Sequence, residues 1–73
     1  MMFIRITTIN ENNVKDLKLI SWNNIASISK SMKSLYRSTI TFMNSDSPLD
    51  VFESEEEILK KIQNSIINRG KLV

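Results

Sequence analysis

Thr39–Ile67, TITFMNSDSPLDVFESEEEILKKIQNSII, holds a strand, a polar turn, a second strand and an amphipathic helix in one run. Thr39 to Met43 is rich in β-branched and aromatic residues and alternates Ile40 and Phe42 against Thr39, Thr41 and Met43, which suits a pleated, half-buried surface. Asn44-Ser45-Asp46-Ser47-Pro48 reads as a turn cluster, with Pro48 removing a backbone donor where the next strand begins. Leu49 to Phe52 reads as a short strand at a sheet edge, with Leu49 and Val51 on one face and Asp50 and Phe52 on the other.

The helix that follows carries its own start signal. Ser54-Glu55-Glu56-Glu57 fits a capping box, in which the Ser54 hydroxyl accepts from the Glu57 amide and the Glu57 carboxylate accepts from the Ser54 amide. Three glutamates in the first turn also complement the positive end of the helix dipole. Ile58, Ile62 and Ile66, with Leu59, form a stripe at helical spacing, while Lys60, Lys61, Gln63 and Asn64 are expected to face water. Gly70 is placed to end the helix in a left-handed cap, and Glu53 stands where a hydrophobic staple would want an apolar residue.

Toward the amino terminus, Phe3 to Ile9 alternates Ile4 and Ile6 against Phe3, Arg5 and Thr7, and Asn10-Glu11-Asn12-Asn13 supplies turn residues. Val14 to Ile20 completes a hairpin, with Leu17 and Leu19 on one face and Lys15 and Lys18 near solvent. Ser21-Trp22-Asn23-Asn24 is a second break, and Ile25, Ala26 and Ile28 open a further strand that decays into Ser29–Ser34. That serine-lysine run reads equally as a loop or as the tips of a long hairpin. Strand-like runs thus lie at about 2–9, 14–20, 25–30, 38–43 and 49–52, with a helix at about 55–69. The expected architecture is one α+β domain over residues 1–73, β-β-β-β-α, with a small four-stranded antiparallel sheet and one carboxy-terminal amphipathic helix packed on one face.

Size and composition narrow the chemistry. Seventy-three residues, 41% of them hydrophobic, suffice for one small core. A domain of this length buries only about 60% of its unfolded surface, so added burial through oligomerisation is expected. Cysteine and histidine are both absent, which excludes disulfides, zinc held by those ligands and any histidine-activated nucleophile. With Gly70 as its one glycine, the chain has no glycine-rich phosphate loop. The carboxylates Asp50, Glu53, Glu55, Glu56 and Glu57 lack the loop and spacing of a calcium-binding hand, and helix capping accounts for most of them. No cofactor, metal or enzymatic activity is expected. Arg5 interrupts the short apolar start, which is wrong for a signal peptide, and no run reaches the roughly 20 apolar residues of a membrane span. The expected setting is cytoplasmic, away from the membrane.

Charge is unevenly placed although the net value is only +2. Before Asn44, six basic residues (Arg5, Lys15, Lys18, Lys30, Lys33, Arg37) face two acidic ones, whereas from Asn44 to Ile62 six acidic residues face Lys60 and Lys61. Such a layout suits head-to-tail or self-complementary contacts between copies, or two solvated faces with no partner. If the helix covers one sheet face, Phe3, Met43 and Phe52 are left on the other as candidates for self-association, with Tyr36 beside them. Lys30, Lys33, Tyr36 and Arg37 form the candidate contact for a partner protein or a nucleic acid, since three cations and a ring on one strip suit phosphates and a stacked base.

The order Phe3-Ile4-Arg5-Ile6-Thr7, Leu19-Ile20-Ser21-Trp22-Asn23-Asn24-Ile25 with Ile28, Thr39-Ile40-Thr41-Phe42-Met43-Asn44, then Asp50-Val51-Phe52-Glu53-Ser54-Glu55-Glu56-Glu57-Ile58 with Ile62, resembles the small bacterial flagellar FlbD family and its phage and plasmid relatives. The likeness is most specific from Val51 to Ile58, V-x-E-S-x-E-E-I. Two departures are the Asn44–Pro48 cluster in place of that family's Asn-Gly turn, and a middle enlarged by Ser29–Ser38. The resemblance implies a small accessory or adaptor protein of bacterial or phage origin, with no catalytic motif to carry over. On this reading the chain is a self-associating protein-interaction module, with a small nucleic-acid-binding regulator using residues 30–37 as the alternative.

Overall fold

The computed structural model describes residues 2–67. Five strands and one helix follow in order: β1 Phe3–Ile9, β2 Lys15–Ser21, β3 Ile25–Lys30, β4 Ser38–Phe42, β5 Ser45–Val51 and α1 Glu55–Ile67. A single 3₁₀ turn, Trp22–Asn24, separates β2 from β3. The fold is α+β with a carboxy-terminal helix, but the single four-stranded sheet is corrected to two antiparallel sheets, β1-β2 and β3-β4-β5. The physical reason is the corner at Trp22–Asn24: it redirects the chain between β2 and β3, so those neighbours in sequence do not pair.

Local chemistry accounts for each turn. Between β1 and β2, the Asn10 side chain accepts from the amides of Asn12 (2.9 Å) and Val14 (3.2 Å). Asn13 adopts the left-handed conformation at φ 62°, which asparagine tolerates better than most residues. Between β4 and β5 the chain reverses at Met43–Asn44, so β5 begins at Ser45, inside the run that reads as a turn cluster. Pro48 is accommodated because the β4–β5 register shifts between Ile40–Leu49 and Phe42–Ser45, leaving the segment around it bulged on an outer strand. A second shift between Ile25 and Ser27 bulges β3. The basic Lys30–Arg37 stretch leaves the end of β3 and forms the β3–β4 connection, where Ser31 N–H donates to the Arg37 carbonyl at 3.2 Å.

Three bonds at Thr7 merge the sheets. The Phe52 amide donates to the Thr7 carbonyl at 3.0 Å, while Glu53 accepts from both the Thr7 amide and the Thr7 hydroxyl at 2.8 Å each. The Glu53 carbonyl in turn accepts from Ser38 Oγ at 2.7 Å, so one residue ties β1, β4 and the approach to α1 together. Glu53 occupies the staple position as a junction between elements, which is why a carboxylate replaces the apolar residue there.

Within this frame Ile4, Ile6, Ile20, Ile40, Val51 and Ile58 form the buried core. The capping box is present, with Ser54 N–H to Glu57 Oε1 and Glu57 N–H to Ser54 Oγ both at 3.1 Å. The inward line of the helix is buried Ile58, half-buried Ile62 and buried Ser65, in place of an isoleucine stripe ending at Ile66. Ser65 is buried because Trp22 Nε1 donates to its hydroxyl at 3.2 Å, a polar contact that turns Ile66 outward to 55% exposure. Leu59 likewise faces solvent. The expected helix positions 68 and 69 and the Gly70 cap lie outside the described residues.

Ile58→Ala is expected to lower stability by about 2–5 kcal/mol, and Ile66→Ala by less than about 0.5 kcal/mol, in urea unfolding followed by circular dichroism. Equal losses would contradict the helix orientation. Glu53→Ala should cost about 1–3 kcal/mol in the same assay, because it strands the Thr7 amide and hydroxyl where the sheets meet.

Candidate functional site

Alternation along the first hairpin sorts its side chains into two faces. The register places Ile4 opposite Ile20, Ile6 opposite Lys18 and Thr8 opposite Asp16 on the side that meets the core, with Lys18 and Asp16 at its rim. Phe3, Arg5, Thr7 and Ile9 of β1, and Lys15, Leu17, Leu19 and Ser21 of β2, therefore share the outer face. Leu17 is 66% and Leu19 51% exposed there, and Phe3 is exposed on the same face. The sequence alone offers Leu17 and Leu19 as one face of a strand; only the pairing of Ile20 with Ile4 shows that this face points away from the helix.

Phe3 stands on the outer hairpin face opposite Ser21. Met43 is exposed in the β4–β5 turn, where its amide donates to the Asn24 carbonyl at 2.8 Å. Phe52 lies at the other end of the hairpin, anchored on Thr7, roughly 13 Å along β1 from Phe3 at about 3.3 Å per residue. The Lys15 ammonium sits 4.6 Å from the Phe52 ring centroid, and Tyr36 packs on the same ring at 5.1 Å with a 47° tilt. Phe52, Tyr36 and Lys15 thus form one cluster flanking the outer face, and Phe3 and Met43 belong to the opposite end.

The basic segment is drawn into internal contacts. Lys33 Nζ lies 3.2 Å from Asp50 Oδ2, and Arg37 Nη1 donates to Glu57 Oε1 at 3.0 Å. Both cations remain largely exposed, so solvent screens each pair and neither is a main support of the fold. Lys30 is exposed at the end of β3, opposite Ser38. Asp50 is the more enclosed acid: Thr39 Oγ1 donates to Oδ1 at 2.6 Å and Ser31 Oγ at 3.1 Å. The Thr39 hydrogen bond, with help from Lys33 and Ser31 and against the cost of burial, holds its pKa below the ordinary 3.8. The capping amide and hydroxyl of Ser54, then Arg37, hold Glu57 below its ordinary value as well.

Among the described residues, no group of three or more His, Cys, Asp or Glu is placed to hold a metal ion. An open depression along α1 is lined by Glu56, Glu57, Leu59, Lys60 and Gln63, all from a single helix, so no second element converges on it. No described helix is long and apolar enough to cross a membrane. The feature with the clearest capacity for contact is the outer hairpin face, apolar at Phe3, Leu17 and Leu19 and basic at Arg5 and Lys15.

A depressed carboxyl pKa contributes stability that is present above the unfolded-state value and lost as pH falls through the folded one. Asp50→Asn is therefore expected to unfold at lower urea than the parent at neutral pH, with the gap closing as pH drops below the ordinary carboxylate range. A gap that stays constant on acidification would remove Asp50 as its source.

Comparison with protein-family models, with curated proteins and with solved structures found no match for this chain.

Proposed function

We propose that this chain is a small non-enzymatic protein-interaction module that self-associates and acts as an adaptor by binding another protein. The observation that carries this reading is the outer face of the β1–β2 hairpin, where Leu17 and Leu19, and Phe3 toward its far end, remain exposed. An antiparallel sheet readily leaves one face in water when that face is polar; large apolar side chains gathered on it mark a contact surface. Size argues in the same direction, since so short a chain gains much from burying apolar surface against a partner.

Charge favours a protein partner over a nucleic acid. Lys33 and Arg37, which would have to meet phosphates, are paired with Asp50 and Glu57 of the same chain. The resemblance of Phe3–Thr7, Leu19–Ile25 with Ile28, Thr39–Asn44 and Asp50–Ile58 with Ile62 to the FlbD family belongs to this proposal too, and implies an accessory role in a bacterium or phage.

Sedimentation equilibrium or light scattering over a wide concentration range tests the reading. The mass-average should rise from the 8.5 kDa of one chain as concentration increases. A value that stays at the single-chain mass up to the solubility limit would sink it.

A further inference from the structure

Among the described residues, β2 has β1 on one side and no strand on the other. At one end of the β1–β2 pair the Asn10 amide donates to the Val14 carbonyl at 2.9 Å; at the other the Trp22 amide donates to the Met2 carbonyl at 2.8 Å. Both bonds fit the register that opposes Ile4 with Ile20, Ile6 with Lys18 and Thr8 with Asp16. Opposed residues in an antiparallel pair alternate between exchanging two hydrogen bonds and exchanging none. Asp16, Lys18 and Ile20 therefore direct their backbone groups at β1, and Lys15, Leu17 and Leu19 direct theirs away from it. Thr7 confirms the alternation from the other strand, since its amide and carbonyl leave the hairpin for Glu53 and Phe52. Among the described residues, nothing pairs with the outward edge of β2.

Resting on the self-associating reading above, we infer that two copies of this chain pair antiparallel through β2, on a two-fold axis at Leu17. Only registers that bring outward-directed residues together are allowed; those that overlap most of β2 centre on Leu17, Lys18 or Leu19, while centring on Asp16 sets two aspartates directly opposite. Centring on Lys18 sets two lysines directly opposite at a non-bonded position, where Cα atoms approach to about 4.5 Å and like charges destabilise. Centring on Leu19 leaves Lys18 opposite Ile20 and Asp16 opposite Trp22, with no directly opposed ion pair. Centring on Leu17 opposes Asp16 of each copy with Lys18 of the other, Val14 with Ile20, and Leu17 with its own counterpart.

This register also sets Val14 (56% exposed) beside Ile20, Leu17 beside its counterpart and Leu19 beside Lys15 of the second copy. β2 holds no proline and pairs with β1 without a bulge, whereas the edge on β3 is broken by the shift between Ile25 and Ser27 and the outer strand β5 by Pro48 and the shift beside it. Lys15 and Lys18 disfavour an arbitrary strand, and Asp16 makes β2 the complement of itself. The two-fold symmetry closes the assembly at a dimer, with one continuous sheet ordered β1-β2-β2-β1.

Charge reversal tests the interface. Asp16→Lys places lysine opposite the partner's Lys18, and Lys18→Asp places aspartate opposite the partner's Asp16. Each alone is expected to raise the dimer dissociation constant about tenfold or more, while the double variant, with both charges exchanged, returns toward the parent value. On the unmodified chain, amide hydrogen exchange at Lys15, Leu17 and Leu19 should slow with rising concentration while that at Asp16, Lys18 and Ile20 stays slow throughout. Single variants that dimerise like the parent, or a double variant no better than either single, would overturn the β2 interface while leaving a rising parent mass to support self-association. A parent that never exceeds one chain overturns both. Should a variant fail to fold by circular dichroism, the exchange experiment decides alone: no concentration-dependent protection at the three outward amides overturns the pairing.

Discussion

Everything in this small fold depends on how the backbone of Thr7 is used. A two-stranded ribbon is at best marginally stable in water, and the first hairpin is such a ribbon. Its second edge becomes useful because the Thr7 carbonyl accepts from Phe52 and the Thr7 amide and hydroxyl are taken by Glu53. That seam fixes Ile4 and Ile6 against the sheet that carries Ile40 and Val51, and Ile58 closes the space between them. Because Ser54, the next residue after Glu53, caps α1, the seam and the helix start are set by adjacent residues.

Glu53, Glu57, Arg37, Asp50 and Lys33 are drawn into the same framework. Glu57 completes the capping box and also receives Arg37, and Asp50 is held among Thr39, Ser31 and Lys33 on the outward side of β4 and β5. Neither the acidic run nor the basic segment is thereby a free patch of one sign. Contact capacity shifts to the first hairpin, whose outer face keeps its leucines exposed and whose β2 edge keeps its backbone groups unpaired among the described residues.

Much of this was readable in the residues, and the misses have definite causes. Ser54 and Glu57 announce their own geometry because a capping box is a contact across three residues, and Ile4 and Ile6 sort inward by simple alternation. Ile66 misled because helical spacing identifies a stripe but not its centre, and the bond between Trp22 and Ser65 rotates that stripe. The single sheet misled because Ser21–Asn24 reads as a break, yet its composition does not say whether the strands on either side pair or part. Glu53 looked like a poor staple residue, and its partner Thr7 is too distant in the chain for any local pattern to link them.

Taken by itself, the sequence determined the α+β class, the strand-rich first part, the capped helix and the absence of cysteine and histidine chemistry, since these rest on composition and on short-range periodicity. Tertiary structure alone decided which face of the first hairpin is inward and which strand edge is left open. Alternation says that Leu17 and Leu19 share a face, but only the pairing of Ile20 with Ile4, and of Thr7 with Phe52 and Glu53, says that this face and the β2 edge look outward. The physical reason is that a strand's register and its free edge are properties of two segments at once, and neither segment carries them alone.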